Sequence, residues 1–118
     1  MIKENLRERL GVHTCDKRSS RAWIENTYPS FKIENGFTAE DGLWEPDKRE
    51  TLEEHVLRST ELLDDIFEND INDIVSLTAH SGTIMSLFTA TGWKKIPVAP
   101  GTIYPLLVKG ERKNEKEI

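Results

Sequence analysis

The stretch Ile71-Asn72-Asp73-Ile74-Val75-Ser76-Leu77-Thr78-Ala79-His80-Ser81-Gly82-Thr83-Ile84 decides the fold. Its first nine residues have the apolar, β-branched character of a buried strand. His80, Ser81 and Gly82 follow at once, and Thr83 to Thr91 reads as a short helix with Ile84, Leu87 and Phe88 inward and Gly92 at its C-terminal cap. A strand that runs straight into a helix predicts an α/β class and carries His80 to the carboxyl end of a sheet, where open α/β sheets bind ligands. The free N–H groups and the positive dipole end of the helix favour an anion such as phosphate there. His80 either donates a hydrogen bond to a phosphoryl oxygen or simply ends the strand against a nearby carbonyl.

Outward from this unit, Arg49 to Phe67 carries the strongest helical pattern. Leu52, Val56, Leu63, Ile66 and Phe67 fall on one side, and Glu53, Glu54, Arg58 and Asp65 largely on the other, which predicts an amphipathic helix covering a sheet. His55 is expected on its solvent face. Thr102 to Val108 reads as a further strand, an edge or a bulge because Pro105 removes a ladder hydrogen bond. Toward the N-terminus, Ser19 or Ser20 caps a short helix through Trp23 and Ile24 that Pro29 must end. Gly11 to Ser20 reads as a loop, and Tyr28 to Trp44 as a folded-over segment anchored by Tyr28, Phe31, Phe37 and Trp44. Residues 1–108 form the domain, and Lys109 to Ile118, with seven charges in ten residues, form a solvated tail.

The 118 residues hold 16 Lys+Arg against 21 Asp+Glu, a net charge of −5, which argues against electrostatically driven nucleic-acid binding. No apolar run approaches the roughly 20 residues of a membrane span, and the start is too polar for a signal peptide. The expectation is a cytoplasmic or nuclear protein with no membrane or nucleic-acid partner. Its hydrophobic fraction, 36%, allows only a small core. The single cysteine, Cys15, has no partner for a disulfide or a zinc site. As a nucleophile Cys15 is the weaker candidate, because Asp16 beside it opposes thiolate formation.

Four segments taken together resemble a family. Leu6-Arg7-Glu8-Arg9-Leu10-Gly11, Arg49-Glu50-Thr51-Leu52 with Arg58 eight residues after Glu50, Val75 to Ile84, and Val98-Ala99-Pro100-Gly101-Thr102-Ile103 stand in the order of the later motifs of the histidine phosphatase superfamily, phosphoglycerate mutase-like branch. The loop His13-Thr14-Cys15-Asp16-Lys17-Arg18 looks like fungal and plant phosphomutase-like members. The resemblance implies the C-terminal part of a three-layer α/β sandwich. It implies that His80 hydrogen-bonds the transferring phosphoryl group, with Ser81, Gly82 and Thr102 at the phosphate, and that Glu8 donates a proton to the leaving oxygen. Such a transfer needs charge stabilisation on the phosphoryl oxygens and a proton for the departing alkoxide. Without the family, Glu8 is one charge among five between Lys3 and Arg9, a surface carboxylate paired with Arg7 or Arg9.

The family's Arg-His-Gly triplet, which supplies the nucleophilic histidine and a phosphate-binding arginine, is absent, since the only histidines are His13, His55 and His80. Met85 stands where many members carry an arginine. The implied activity is that of a phosphomonoester phosphatase or phosphomutase working through phosphohistidine on a phosphorylated small molecule, without metal or cofactor. These residues alone are expected to be inactive, a truncated member lacking the strand beside the one that ends at His80. The alternative is a non-catalytic remnant that binds phosphate weakly or docks a protein. An exposed sheet edge would invite self-association.

Overall fold

The computed structural model describes residues 1–113. Three α-helices carry the fold: α1 (Arg21–Thr27), α2 (Leu52–Asn69) and α3 (Ser81–Ala90). Each starts and stops for a legible reason. Ser20 Oγ accepts the Trp23 N–H at the start of α1, and Tyr28, forced out of helical geometry ahead of Pro29, closes it. At α2 the Thr51 hydroxyl accepts the Glu54 N–H at 3.1 Å while the Glu54 carboxylate accepts the Thr51 N–H at 3.2 Å, a reciprocal cap. At the end of α3, Gly92 takes φ 72°, so the Gly92 N–H reaches Thr89 O and the Trp93 N–H reaches Phe88 O. The Phe88 and Trp93 rings then meet, with centroids 4.9 Å apart, and seal that turn.

α2 packs on α3 and on the short 3-10 turn Glu4–Leu6. The face that α2 buries is His55, Arg58, Ser59 and Leu62, a stripe at i, i+3, i+4 and i+7. This corrects the sequence expectation for this helix. Leu52 and Phe67, expected inside, are exposed, whereas His55 and Arg58, expected outside, are buried. The apolar periodicity read from the sequence traces a different flank of α2 from the one that meets α3. From α3 the buried residues are Thr83, Ser86, Leu87 and Phe88. Among the described residues the buried apolar side chains are few, Leu10, Phe37, Leu62, Leu87 and Phe88, and they are matched by buried Glu50, His55, Arg58, Ser59, Thr83 and Ser86. Hydrogen bonds among polar side chains therefore decide how this interior is arranged.

No strand ladder forms among the described residues, where β pairing is limited to isolated bridges at Ile2–Ile33 and Glu45–Lys48. The segments read as strands, 71–79 and 102–108, belong to no regular element, and Ile74 and Ile103 are about nine-tenths exposed, at 91% and 89%. The expected sandwich is thus not formed by these residues. A helix satisfies its own backbone, but a strand needs the N–H and C=O groups of a neighbour. The helices consequently appear in full and the strands do not.

The N-terminal half is held by charge more than by aromatic anchors. Asp41 accepts both terminal nitrogens of Arg7 (2.9 and 2.7 Å) and the backbone N–H groups of Arg18, Leu43 and Trp44. Burial alone would raise its pKa, but these donors hold the carboxyl far below the ordinary carboxylate range. Arg18 pairs with Glu4 and lies over the Phe37 ring, 4.0 Å from its centroid. Of the expected anchors, Phe37 is buried and Trp44 half-buried, while Tyr28 and Phe31 are exposed. Within the expected tail, residues 109–113 are exposed, with Arg112 paired to Glu68 at 2.7 Å, and 114–118 lie outside the described residues. No described helix is long and apolar enough to cross a membrane.

Candidate functional site

The site is built where the strip from Arg7 to Arg9 crosses the first turn of α3. Glu8 Oε2 accepts the Gly82 N–H at 2.9 Å, and Glu8 Oε1 accepts the Arg9 N–H at 2.9 Å. The contact requires glycine, because a Cβ at position 82 would stand 2.8 Å from Glu8 Cδ and collide with the carboxylate. His80 is the N-cap of α3, exposed and making no side-chain cap bond, so its ring is free to meet a ligand at the same helix end. Glu8, His80, Ser81 and Gly82 are thereby brought together. The expected pairing of Glu8 with the Arg7 or Arg9 side chain is replaced: Arg7 turns to Glu4 and Asp41, and Arg9 Nε donates to the Glu50 carbonyl.

Thr102 is not joined to this group by any hydrogen bond among the described residues. It is exposed, in a turn tied down at Tyr104, whose hydroxyl accepts the Ala99 N–H at 2.8 Å and whose ring meets Phe88 edge-on. Cys15 and His13 are exposed in the turn around Thr14–Asp16. Among the described residues no cluster of three or more His, Cys, Asp or Glu side chains is placed to hold a metal ion.

Beneath Glu8 lies a buried scaffold whose role sequence reasoning missed. Arg58 Nε and Nη2 grip both oxygens of Glu50 at 2.9 and 2.8 Å, a two-pronged pair closed off from solvent. The remaining guanidinium hydrogens donate to the carbonyls of Asn5, Arg7 and Glu8. Glu50 in turn accepts the Leu10 N–H at 3.1 Å, and its own N–H donates to Leu10 O at 2.8 Å. Burial would raise the Glu50 carboxyl, but the bonds from Arg58 and Leu10 and the Arg58 charge hold it below its ordinary value. The same strip is gripped from α3: Thr83 Oγ1 donates to Arg7 O at 2.7 Å and lies 3.0 Å from His55 Nε2. Burial, reinforced by the Arg58 charge, pushes the His55 pKa down and so favours the neutral ring. A usable signal was present in the sequence, the eight-residue step from Glu50 to Arg58, which places the arginine two turns up the helix that Thr51 caps.

Comparison with known proteins gives this geometry its family. The chain is 49% identical over 110 residues to a "Probable phosphoglycerate mutase" of Arthroderma benhamiae, covering 93% of this chain and 33% of that protein. It is 36% identical to "Phosphomutase-like protein 3" of Candida albicans over 97% of this chain and 36% of that one. With a probable phosphoglycerate mutase of Saccharomyces cerevisiae it shares 39% identity over 73% of this chain and 33% of that one. No family model and no solved structure matches it. The chain belongs to the histidine phosphatase superfamily, among its phosphoglycerate mutase-like proteins. It spans about a third of the length of the curated relatives it matches, their C-terminal third.

Proposed function

We propose that these residues carry the acid and one phosphate-facing histidine of a phosphohistidine site that acts on a phosphorylated small molecule. Glu8 gives its proton to the departing alkoxide, and His80 hydrogen-bonds the transferring phosphoryl group. The nucleophilic histidine and its arginine come from polypeptide corresponding to the first two thirds of the relatives. The observation that carries this reading is the Glu8–Gly82 bond, which holds the carboxylate two residues from His80 at one helix end. A carboxylate that must release a proton and a histidine that must meet phosphate need that proximity.

In the same reading the domain is an α/β sandwich. Residues 71–79 and 102–108 are strands of its sheet, and the half-buried flank Val56, Leu63 and Ile66 of α2 covers it. The 118 residues by themselves turn over no phosphomonoester, because neither the nucleophile nor its arginine is among them. They self-associate through the uncovered apolar segments, and the enzyme works in the cytoplasm. Hydrolysis of an aryl phosphate by the isolated chain is the test. Background-level rates are expected, and turnover that His80→Ala abolishes and chelators leave intact would overturn the assignment.

A weak phosphate-binding remnant is the less favoured reading. Its anion would rely on the first amides of α3, and the Gly82 N–H is already taken by the Glu8 carboxylate.

A further inference from the structure

Two groups that meet behind Glu8 take no part in the proposed chemistry. His55, on α2, and Thr83, on α3, are both essentially closed to solvent, and they are joined by the 3.0 Å contact between His55 Nε2 and Thr83 Oγ1. The hydroxyl has one proton to give, and it has three groups in range that could accept it: Arg7 O at 2.7 Å, His55 Nε2 at 3.0 Å and Glu8 Oε1 at 3.5 Å. Arg7 O can only accept and makes the shortest contact, so it takes the proton. With its proton committed, the hydroxyl can only accept from His55, which fixes the imidazole as the Nε2–H tautomer.

We infer that His55 and Thr83 are positioning residues for Glu8: the chain His55 Nε2–H to Thr83 O–H to Arg7 C=O locks the peptide that leads into Glu8 and keeps the Thr83 proton off Glu8 Oε1. Arg7 O then has both lone pairs filled, one from Thr83 on α3 and one from Arg58 Nη1 on α2 at 2.9 Å, so two helices fix the same carbonyl. Glu8 Oε1 is left with the Arg9 N–H as its close partner. An oxygen that must carry and release a proton is served by such an arrangement, because each further donor stabilises its ionised form. The charged groups around the ring are Arg58 and Glu50 from the α2 side and Glu8 from the N-terminal strip. Burial and the Arg58 charge lower the proton affinity of the ring, which favours its neutral form.

This inference rests on the reading of Glu8 as the acid, but its test needs no turnover, so the two fail separately. In the full chain, long-range proton–nitrogen NMR of the His55 ring reports the tautomer, and the Gly82 N–H resonance reports ionisation of the carboxylate it touches. The wild-type ring is expected as Nε2–H. In Thr83→Val that preference is lost, and Thr83→Ser restores it. In His55→Ala the hydroxyl loses the donor that orients it and shares its proton between Arg7 O and Glu8 Oε1, and the midpoint of the Gly82 titration step falls by up to about half a pH unit, roughly threefold in proton affinity. His55→Gln, which keeps a donor at that place, moves it less, and adding Thr83→Val to His55→Ala cancels the fall. A wild-type Nδ1–H tautomer, or a His55→Ala effect that persists without the Thr83 hydroxyl, overturns the inference. Should His55→Ala fail to fold, the wild-type tautomer and the Thr83→Ser and His55→Gln variants still decide it.

Discussion

Replacing Arg58 by alanine removes the donor of five hydrogen bonds at once. Two go to Glu50, and one each to the carbonyls of Asn5, Arg7 and Glu8. The carboxylate left behind is almost fully buried, with a side-chain exposure of 8%, and keeps only backbone donors. Breaking a buried pair by deleting one partner costs about 3–5 kcal/mol, most of it the uncompensated charge. A domain of this length has about 5–15 kcal/mol in total, and the short roll of buried apolar side chains puts this one toward the lower end. Urea denaturation followed by circular dichroism measures the loss. At a slope of about 2 kcal/mol per molar, the midpoint is expected to fall by about 1.5–2.5 M. Adding Glu50→Gln to Arg58→Ala removes the stranded charge and is expected to recover part of the loss. A fall worth under about 1 kcal/mol, or no recovery in the double variant, would refute the view that this pair holds the strip bearing Glu8.

Three further outcomes follow from the same interior. His55 binds its proton more weakly folded than unfolded, so stability is expected to decline as pH drops through about 6.5 and to level off at the lower folded-state value. It declines again below about pH 4, where the Asp41 and Glu50 carboxyls bind protons in the unfolded chain but, with lowered proton affinity, stay ionised in the folded one. Denaturation midpoints between pH 8 and pH 3 check both steps, and His55→Gln should erase the first alone. Gly82→Ala drives a methyl into the Glu8 carboxylate and is expected to lower stability by about 1–3 kcal/mol in a thermal melt. Ser59 Oγ is buried with no hydrogen-bond partner among the described residues, so Ser59→Ala is expected to be neutral or to raise the melting temperature slightly.

Helix ends were the most readable part of this sequence because their signals are local. Ser20, Thr51 and Gly92 each act within a few residues of themselves, and the structure uses all three. The inward face of α2 was misread for a physical reason. Hydrophobic periodicity assumes that charge faces water, whereas here Arg58 and His55 are buried against partners 50 and 28 residues away, the Glu8 carbonyl and Thr83. Residues 71–79 and 102–108 were read as strands from side-chain character alone, but a strand also needs a paired neighbour, and no ladder forms among the described residues. The loop from Tyr28 to Trp44 was assigned to aromatic anchors, but its organiser is Asp41, an ordinary-looking acid whose five donors come from four residues, two of them, Arg7 and Arg18, far from it in sequence. At the site, Glu8 and His80 became legible through the family resemblance, and the bond from the Gly82 N–H to Glu8, which ties that carboxylate to the helix turn following His80, is the contact that a linear reading cannot supply.

The central claim is that Glu8 and His80 serve one phosphoryl-transfer site completed by polypeptide outside these residues. Co-expressing the chain with the first two thirds of the Arthroderma relative, and measuring aryl phosphate hydrolysis by the purified complex, tests it most directly. Turnover is expected in the complex and absent from either part alone. His80→Ala and Glu8→Gln should each lower it by about 100-fold or more, as expected for removing a phosphoryl-stabilising donor and a general acid. An active complex indifferent to Glu8→Gln would contradict the account.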